Sequence, residues 1–202
     1  MKALLIKDIK TIFAFFIFIA IFGFVTSFAE TTSFISFVYV FLIPMTIMNQ
    51  DELTHFNRLA SMMPISNAEA VCEKYVISLI GLAVALVFGA AGMAFGYYVM
   101  GININIDSLF LPTCLVLFYC AITLPLDFLV TSQIGRTIML VASMIIVGLI
   151  FGIAMALGNE MFVTLFNGGL TWGIRIVLLA VCTVLFAASI PLSISIYRRK
   201  DK

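Results

Sequence analysis

Residues 49–74 read NQDELTHFNRLASMMPISNAEAVCEK, a polar island between an apolar run that ends at Met48 and another that opens at Tyr75. The island is patterned. Leu53, Phe56, Leu59, Ala60 and Met63 fall on one face at helical spacing, while Asp51, Thr54, His55, Arg58 and Ser61 fall on another. Pro64 ends that helix, because proline has no N–H to give and its ring clashes with the preceding turn. Ser66-Asn67-Ala68-Glu69 follows at once and has the form of a capping box, the Ser66 hydroxyl accepting from the Glu69 N–H and the Glu69 carboxylate from the Ser66 N–H. A new helix therefore starts at the serine and runs without a break into the apolar stretch beyond Tyr75. Periodicity leaves two settings open for the first helix, resting on lipid headgroups or docking against a partner.

Outward from the island, charge alternates with long apolar runs. Lys2, Lys7 and Lys10 precede the first run, Arg58 and Lys74 lie in the island, Arg136 follows the fourth run, and Arg198, Arg199, Lys200 and Lys202 close the chain. Six crossings place all of these on one side and only Arg175 on the other, while the opposite connectors carry Glu30, Asp107 and Glu160. Lys and Arg concentrate on the cytoplasmic side of membrane proteins. The sequence thus predicts an all-α integral membrane protein of the cytoplasmic membrane, with spans at about 11–28, 32–48, 75–100, 109–130, 138–157 and 174–196 and both termini cytoplasmic. Leu5, Ile6, Ile9, Ile12 and Phe13 add a short amphipathic N-terminal helix before span one. That first run exceeds the roughly 7–15 apolar residues of a signal-peptide core and reads as a span. Pro44 interrupts span two, and Met161 to Phe166 form an apolar stretch that either re-enters the membrane or lies on it.

Composition supports this reading and excludes others. Hydrophobic residues make up 63% of the chain and charged residues 10%, against roughly 25% charged in soluble domains. The spans consume most of the 202 residues and leave a single transmembrane domain over 1–202, with no room for a soluble catalytic domain. Cys72, Cys114, Cys120 and Cys182 lack metal-ligand spacing, and His55 has no companion at ligand spacing, so no metal site is expected. The chain shows no phosphate-binding glycine loop, nucleophile elbow or paired intramembrane carboxylates. No enzyme activity is expected, and the net charge of +1 gives no sign of nucleic-acid binding. Gly92 and Gly96, and Gly148, Gly152 and Ala156, have the small-xxx-small spacing that lets helix backbones approach in lipid.

Met63-Pro64-Ile65-Ser66, followed by Ala70-Val71-Cys72-Glu73-Lys74-Tyr75, resembles the leucine-proline-valine-serine, then valine-x-x-lysine-tyrosine signature between spans two and three of type-2 ABC transporter permeases. Pro125-Leu126-Asp127-Phe128, with Gly135-Arg136 beyond it, resembles a second family segment at the cytoplasmic end of span four. The chain departs from the pattern at Asn67, where a basic residue is frequent, and at Asp127.

The resemblance implies the membrane half of an exporter. A cytoplasmic ABC ATPase subunit would bind ATP and Mg, this chain binding no cofactor, and a second permease, identical or related, would complete the pair within membrane lipid. Asp51 to Met63 would be the coupling helix, contacting the ATPase through Asp51, Leu53, His55, Phe56, Arg58, Leu59 and Met63. Pro64, Ser66, Glu69, Lys74 and Tyr75 would form the joint to span three, and Pro125, Asp127, Gly135 and Arg136 the end of span four. Twenty Phe and 11 Met suit an amphipathic, peptide or lipid-like cargo. An ATPase-independent secondary carrier and a membrane immunity or assembly protein are the alternatives. For Asp127, an ion pair with Arg136 or Arg58, a cap after a break at Pro125, and a proton-coupling role are all open.

Overall fold

A computed structural model describes residues 2–28, 34–53, 66–101, 107–130, 134–135, 138, 141, 145 and 172–200. These residues are helical throughout apart from short turns and ends, with no strand among them. The helices are α1 (Lys2–Thr11), α2 (Phe13–Phe28), α3 (Phe34–Leu53), α4 (Asn67–Met100), α5 (Asp107–Leu129) and α6 (Trp172–Lys200). Three of them, α4, α5 and α6, are long and apolar enough to cross a membrane, and the α1–α2 pair makes a fourth candidate if its two arms count as one span.

The N-terminal amphipathic helix and the first apolar run meet at Ile12, where α1 and α2 are bent by 61°. Neither proline nor glycine marks the bend. The Thr11 hydroxyl donates to the Lys7 carbonyl at 3.0 Å, a side-chain bond that competes with the helical ladder and favours bending. Ile12 itself is wholly buried and pins the corner to the core. In α3 the helix passes through Pro44 and continues to Leu53, so the apolar run and the first residues of the polar island belong to one element.

At 34 residues α4 is the spine of the bundle. A rise of 1.5 Å per residue gives it roughly 50 Å, well beyond the about 30 Å of bilayer hydrocarbon. The excess is its opening turns, which carry Glu69, Glu73 and Lys74 ahead of the apolar stretch from Tyr75. The helix starts as a formed capping box, with Glu69 N to Ser66 Oγ and Ser66 N to Glu69 Oε2 both at 3.2 Å. It stops at Gly101, whose φ of +66° is the left-handed conformation that glycine adopts without steric cost.

Against α4 pack α1, α2, α3, α5 and α6. Gly92 lies in the α2–α4 seam, where the Phe24 backbone is so close that a Cβ would overlap its carbonyl oxygen. Gly92 of the small-residue spacing therefore marks a contact within this chain, while Gly148, Gly152 and Ala156 lie outside the described residues. Ile19, Val40, Ile43, Ile77, Ala85 and Leu124 form the dry centre. The α5–α6 pair is closed by Phe128 against Tyr197, rings 5.7 Å apart and edge to face. Outward, α6 exposes Ile176, Val177 and Val184, each more than half exposed, the surface expected of a helix in lipid.

Candidate functional site

Charge gathers where α1, the end of α3 and the opening turns of α4 meet. Asp8 falls three residues after Leu5 and four before Ile12, on the inward face of α1, and is 1% exposed. Asp51 ends α3 at 8% exposure, and Lys74 comes from α4 at 6%. The Lys74 ammonium donates to Asp8 Oδ2 at 2.7 Å and to Asp51 Oδ2 at 2.6 Å. Lys7, half-buried at the rim, reaches Asp8 Oδ1 at 3.0 Å and pairs with Asp51 Oδ1. The result is a closed ring in which the lysines alternate with the aspartates, each carboxylate giving one oxygen to each ammonium.

The ring is neutral, and its geometry answers the cost of burying charge, since every charge in it has two opposite neighbours. Burial alone would lower the affinity of Lys74 for its proton. The Asp51 and Asp8 carboxylates more than offset this and hold the ammonium above its ordinary value. Such a ring ties three helices at fixed distances, because a buried pair loses far more when one partner leaves than an exposed pair does.

A second tie lies one residue on. The Tyr75 hydroxyl bonds to Ser189 Oγ at 2.8 Å and Ser193 Oγ at 2.7 Å, both on α6. Its ring packs edge to face on Phe186, centroids 5.2 Å apart. Lys74 and Tyr75 are neighbours on α4 that face different partners, α1 and α3 on one side and α6 on the other. The head of α4 is thereby tied to α1, α3 and α6 together.

Of the residues expected to form the site, the structure brings Asp51, Lys74 and Tyr75 to this joint, and Ser66 and Glu69 cap the helix that carries them. Asp51 sits inside the bundle at the end of α3, while Leu53, 60% exposed, points away from it. His55, Phe56, Arg58, Leu59, Met63, Pro64 and Arg136 lie outside the described residues. Pro125 and Asp127 are both buried, and α5 continues through them to Leu129, so no break at Pro125 turns Asp127 into a cap. Gly135 lies beyond that end, half-buried. Asp8, Lys7 and Glu73 were not singled out by sequence reasoning as parts of the site. The available sign was Asp8, a carboxylate at the register of the apolar face of α1.

Elsewhere, Cys114 and Cys182 face each other across α5 and α6 as free thiols. Among the described residues no group of His, Cys, Asp and Glu is placed to hold a metal ion. At the far end of α6 the Arg175 guanidinium stacks over the Trp172 ring at 4.9 Å, an amphipathic pair of the kind found at membrane interfaces.

Long apolar helices packed through small residues and dry side chains, with ionised groups gathered at one end, define a helical membrane protein. The chain matches the family of ABC-2 family transporter proteins over residues 2–198 and belongs to it. It is a membrane transport permease of the ABC transporter class. No curated protein and no solved structure matches it.

Proposed function

We propose that this chain is the membrane-spanning subunit of an ATP-driven exporter in the cytoplasmic membrane, crossing six times with both termini cytoplasmic. Family membership supports a permease that works with an ATPase, and the one-sided Lys and Arg distribution supports the orientation. The observation that carries the coupling mechanism is the Lys7–Asp8–Lys74–Asp51 ring. It binds the end of α3, from which the docking segment Leu53 to Met63 departs, to the opening turns of α4.

In this reading a separate ABC ATPase binds ATP and Mg and receives Phe56, Leu59 and Met63 in a groove, with His55 and Arg58 at its rim. Closure of an ATPase pair shifts the segment, and Asp51 passes the shift through Lys74 to α4 and to α1. Tyr75 extends it to α6, and access alternates between the two membrane faces. A second permease, identical or related, completes the transporter. Gly135 and Arg136, beyond the end of α5, lie on the same cytoplasmic side. The abundance of Phe and Met suits an amphipathic, peptide or lipid-like cargo.

The test is purification of the chain from its native membrane in mild detergent. An ABC ATPase should accompany it with measurable ATP hydrolysis, and Phe56→Asp or Leu59→Asp should release that subunit, because a charge on the docking face must be desolvated. A chain that purifies alone and moves its cargo without ATP would contradict the reading and place it among the secondary carriers.

A further inference from the structure

Glu73 brings a third carboxyl group to the joint. The two ammonium groups there, Lys7 and Lys74, each already bridge Asp8 and Asp51. Glu73 is 2% exposed, and its Oε1 is buried with no hydrogen-bond partner. Its carboxyl group lies within hydrogen-bonding reach of Asp8. Two carboxylates have acceptors only, so a hydrogen bond between them needs a proton. The charged groups beside Glu73 are Lys7 and Asp8 from α1 and Lys74 next to it on α4, and Asp51 from α3 binds both of those lysines. With Glu73 neutral, the cluster balances two cations against two anions. With Glu73 ionised, it holds an excess negative charge away from water, an arrangement that buried sites avoid.

We propose that Glu73 is a proton-operated latch on the joint: as the neutral acid it donates to Asp8 and leaves the ring intact, and as the carboxylate it repels Asp8 and loosens α1 from α4. The proton passes between the carboxyl group and solvent water, so no other reactant is needed. Burial supports the assignment, pushing the Glu73 carboxyl up to about 7 against the opposing pull of Lys74, with Asp8 adding to the rise. This is a group whose folded-state value lies above its unfolded one. Its contribution to stability is complete below the ordinary value of 4.5 and is lost as pH rises through about 7. The joint therefore tightens in mild acid and slackens just above neutrality. Only the consequence for transport rests on the function proposed above.

The test is an infrared titration of the purified full-length chain in lipid, from about pH 5 to about pH 8. A protonated carboxyl C=O band should disappear with a midpoint near 7 in the wild type and be absent in Glu73→Gln. The wild type's thermal midpoint should fall across the same range, while that of Glu73→Gln stays level. Should Glu73→Gln fail to fold, Asp8→Asn should move the band's midpoint downward, because it removes the neighbouring negative charge. A wild type without such a band, a band that survives Glu73→Gln, or a midpoint unmoved by Asp8→Asn would overturn the latch. The readout involves no ATPase, so failure of the transporter reading, seen as a chain that purifies alone, is separate from failure of the latch.

Discussion

Lys74 and Asp8 stand 66 residues apart in the chain, and the Lys74 ammonium lies 2.7 Å from the Asp8 carboxylate in the fold. With Asp51 bound to the same ammonium at 2.6 Å, a single cation joins α1, α3 and α4. Removing it leaves two buried carboxylates facing each other with only Lys7 between them. Lys74→Met should therefore cost about 3–5 kcal/mol of stability, the range for breaking a buried pair by loss of one member. Asp8→Asn combined with Lys74→Met should cost less than the sum of the single changes by about 1–3 kcal/mol, since the second change removes a charge the first had orphaned. Unfolding of the four proteins of this cycle in detergent measures the coupling, and strict additivity would show that the contact carries no energy.

The α2–α4 seam depends on the missing side chain at Gly92. An added Cβ would overlap the Phe24 carbonyl oxygen and stand 3.0 Å from Ser27 Cβ. A backbone atom is not free to swing aside as a side-chain tip is, so the helices must separate. Gly92→Ala is expected to destabilise the protein by about 1–3 kcal/mol. At Gly173 an added Cβ meets nothing within 4 Å, and Gly173→Ala should be close to neutral. Equal thermal midpoints for the two variants would refute the close approach.

The α4–α6 tie separates into a polar and an apolar part. Tyr75→Phe removes the hydroxyl shared by Ser189 and Ser193 but keeps the ring on Phe186. Its cost should be about 1 kcal/mol, because hydrogen bonds between helices in lipid are individually modest. It is further limited because Ser189 already has the Phe186 carbonyl at 3.0 Å to bond to. Tyr75→Ala should cost about 3–5 kcal/mol through the cavity it leaves. Comparable losses for both would place the energy in the hydroxyl.

The long helices were legible because each is an apolar run bounded by charge, proline or glycine, and the start of α4 because a capping box is local. The helices α4 and α6 contain the apolar runs Tyr75 to Met100 and Ile174 to Ile196, α4 beginning earlier at Asn67 and α6 running on to Lys200. The charged ring was not legible. Lys7 read as a marker of membrane side and Lys74 as part of the joint to span three as well, but nothing in a linear pattern pairs residues separated by 66 or 44 positions. Asp51 read as the start of a docking helix because it opens the polar island, yet α3 carries the chain through Pro44 to Leu53 and turns that carboxylate inward. A separate helix ahead of the first apolar run was legible from its amphipathic spacing, but the place of the bend at Ile12 was not, since its only local correlate is the Thr11 hydroxyl on the Lys7 carbonyl.

That the ring makes α1 and the head of α4 move as one body is most directly tested by the distance between nitroxide labels at Lys10 and Ala68, both on exposed positions. In the transporter complex one narrow distance distribution is expected, the same with and without ATP, that broadens when Lys74→Met opens the ring. A distribution that shifts or splits with ATP in the wild type, or one that Lys74→Met leaves unchanged, would contradict it.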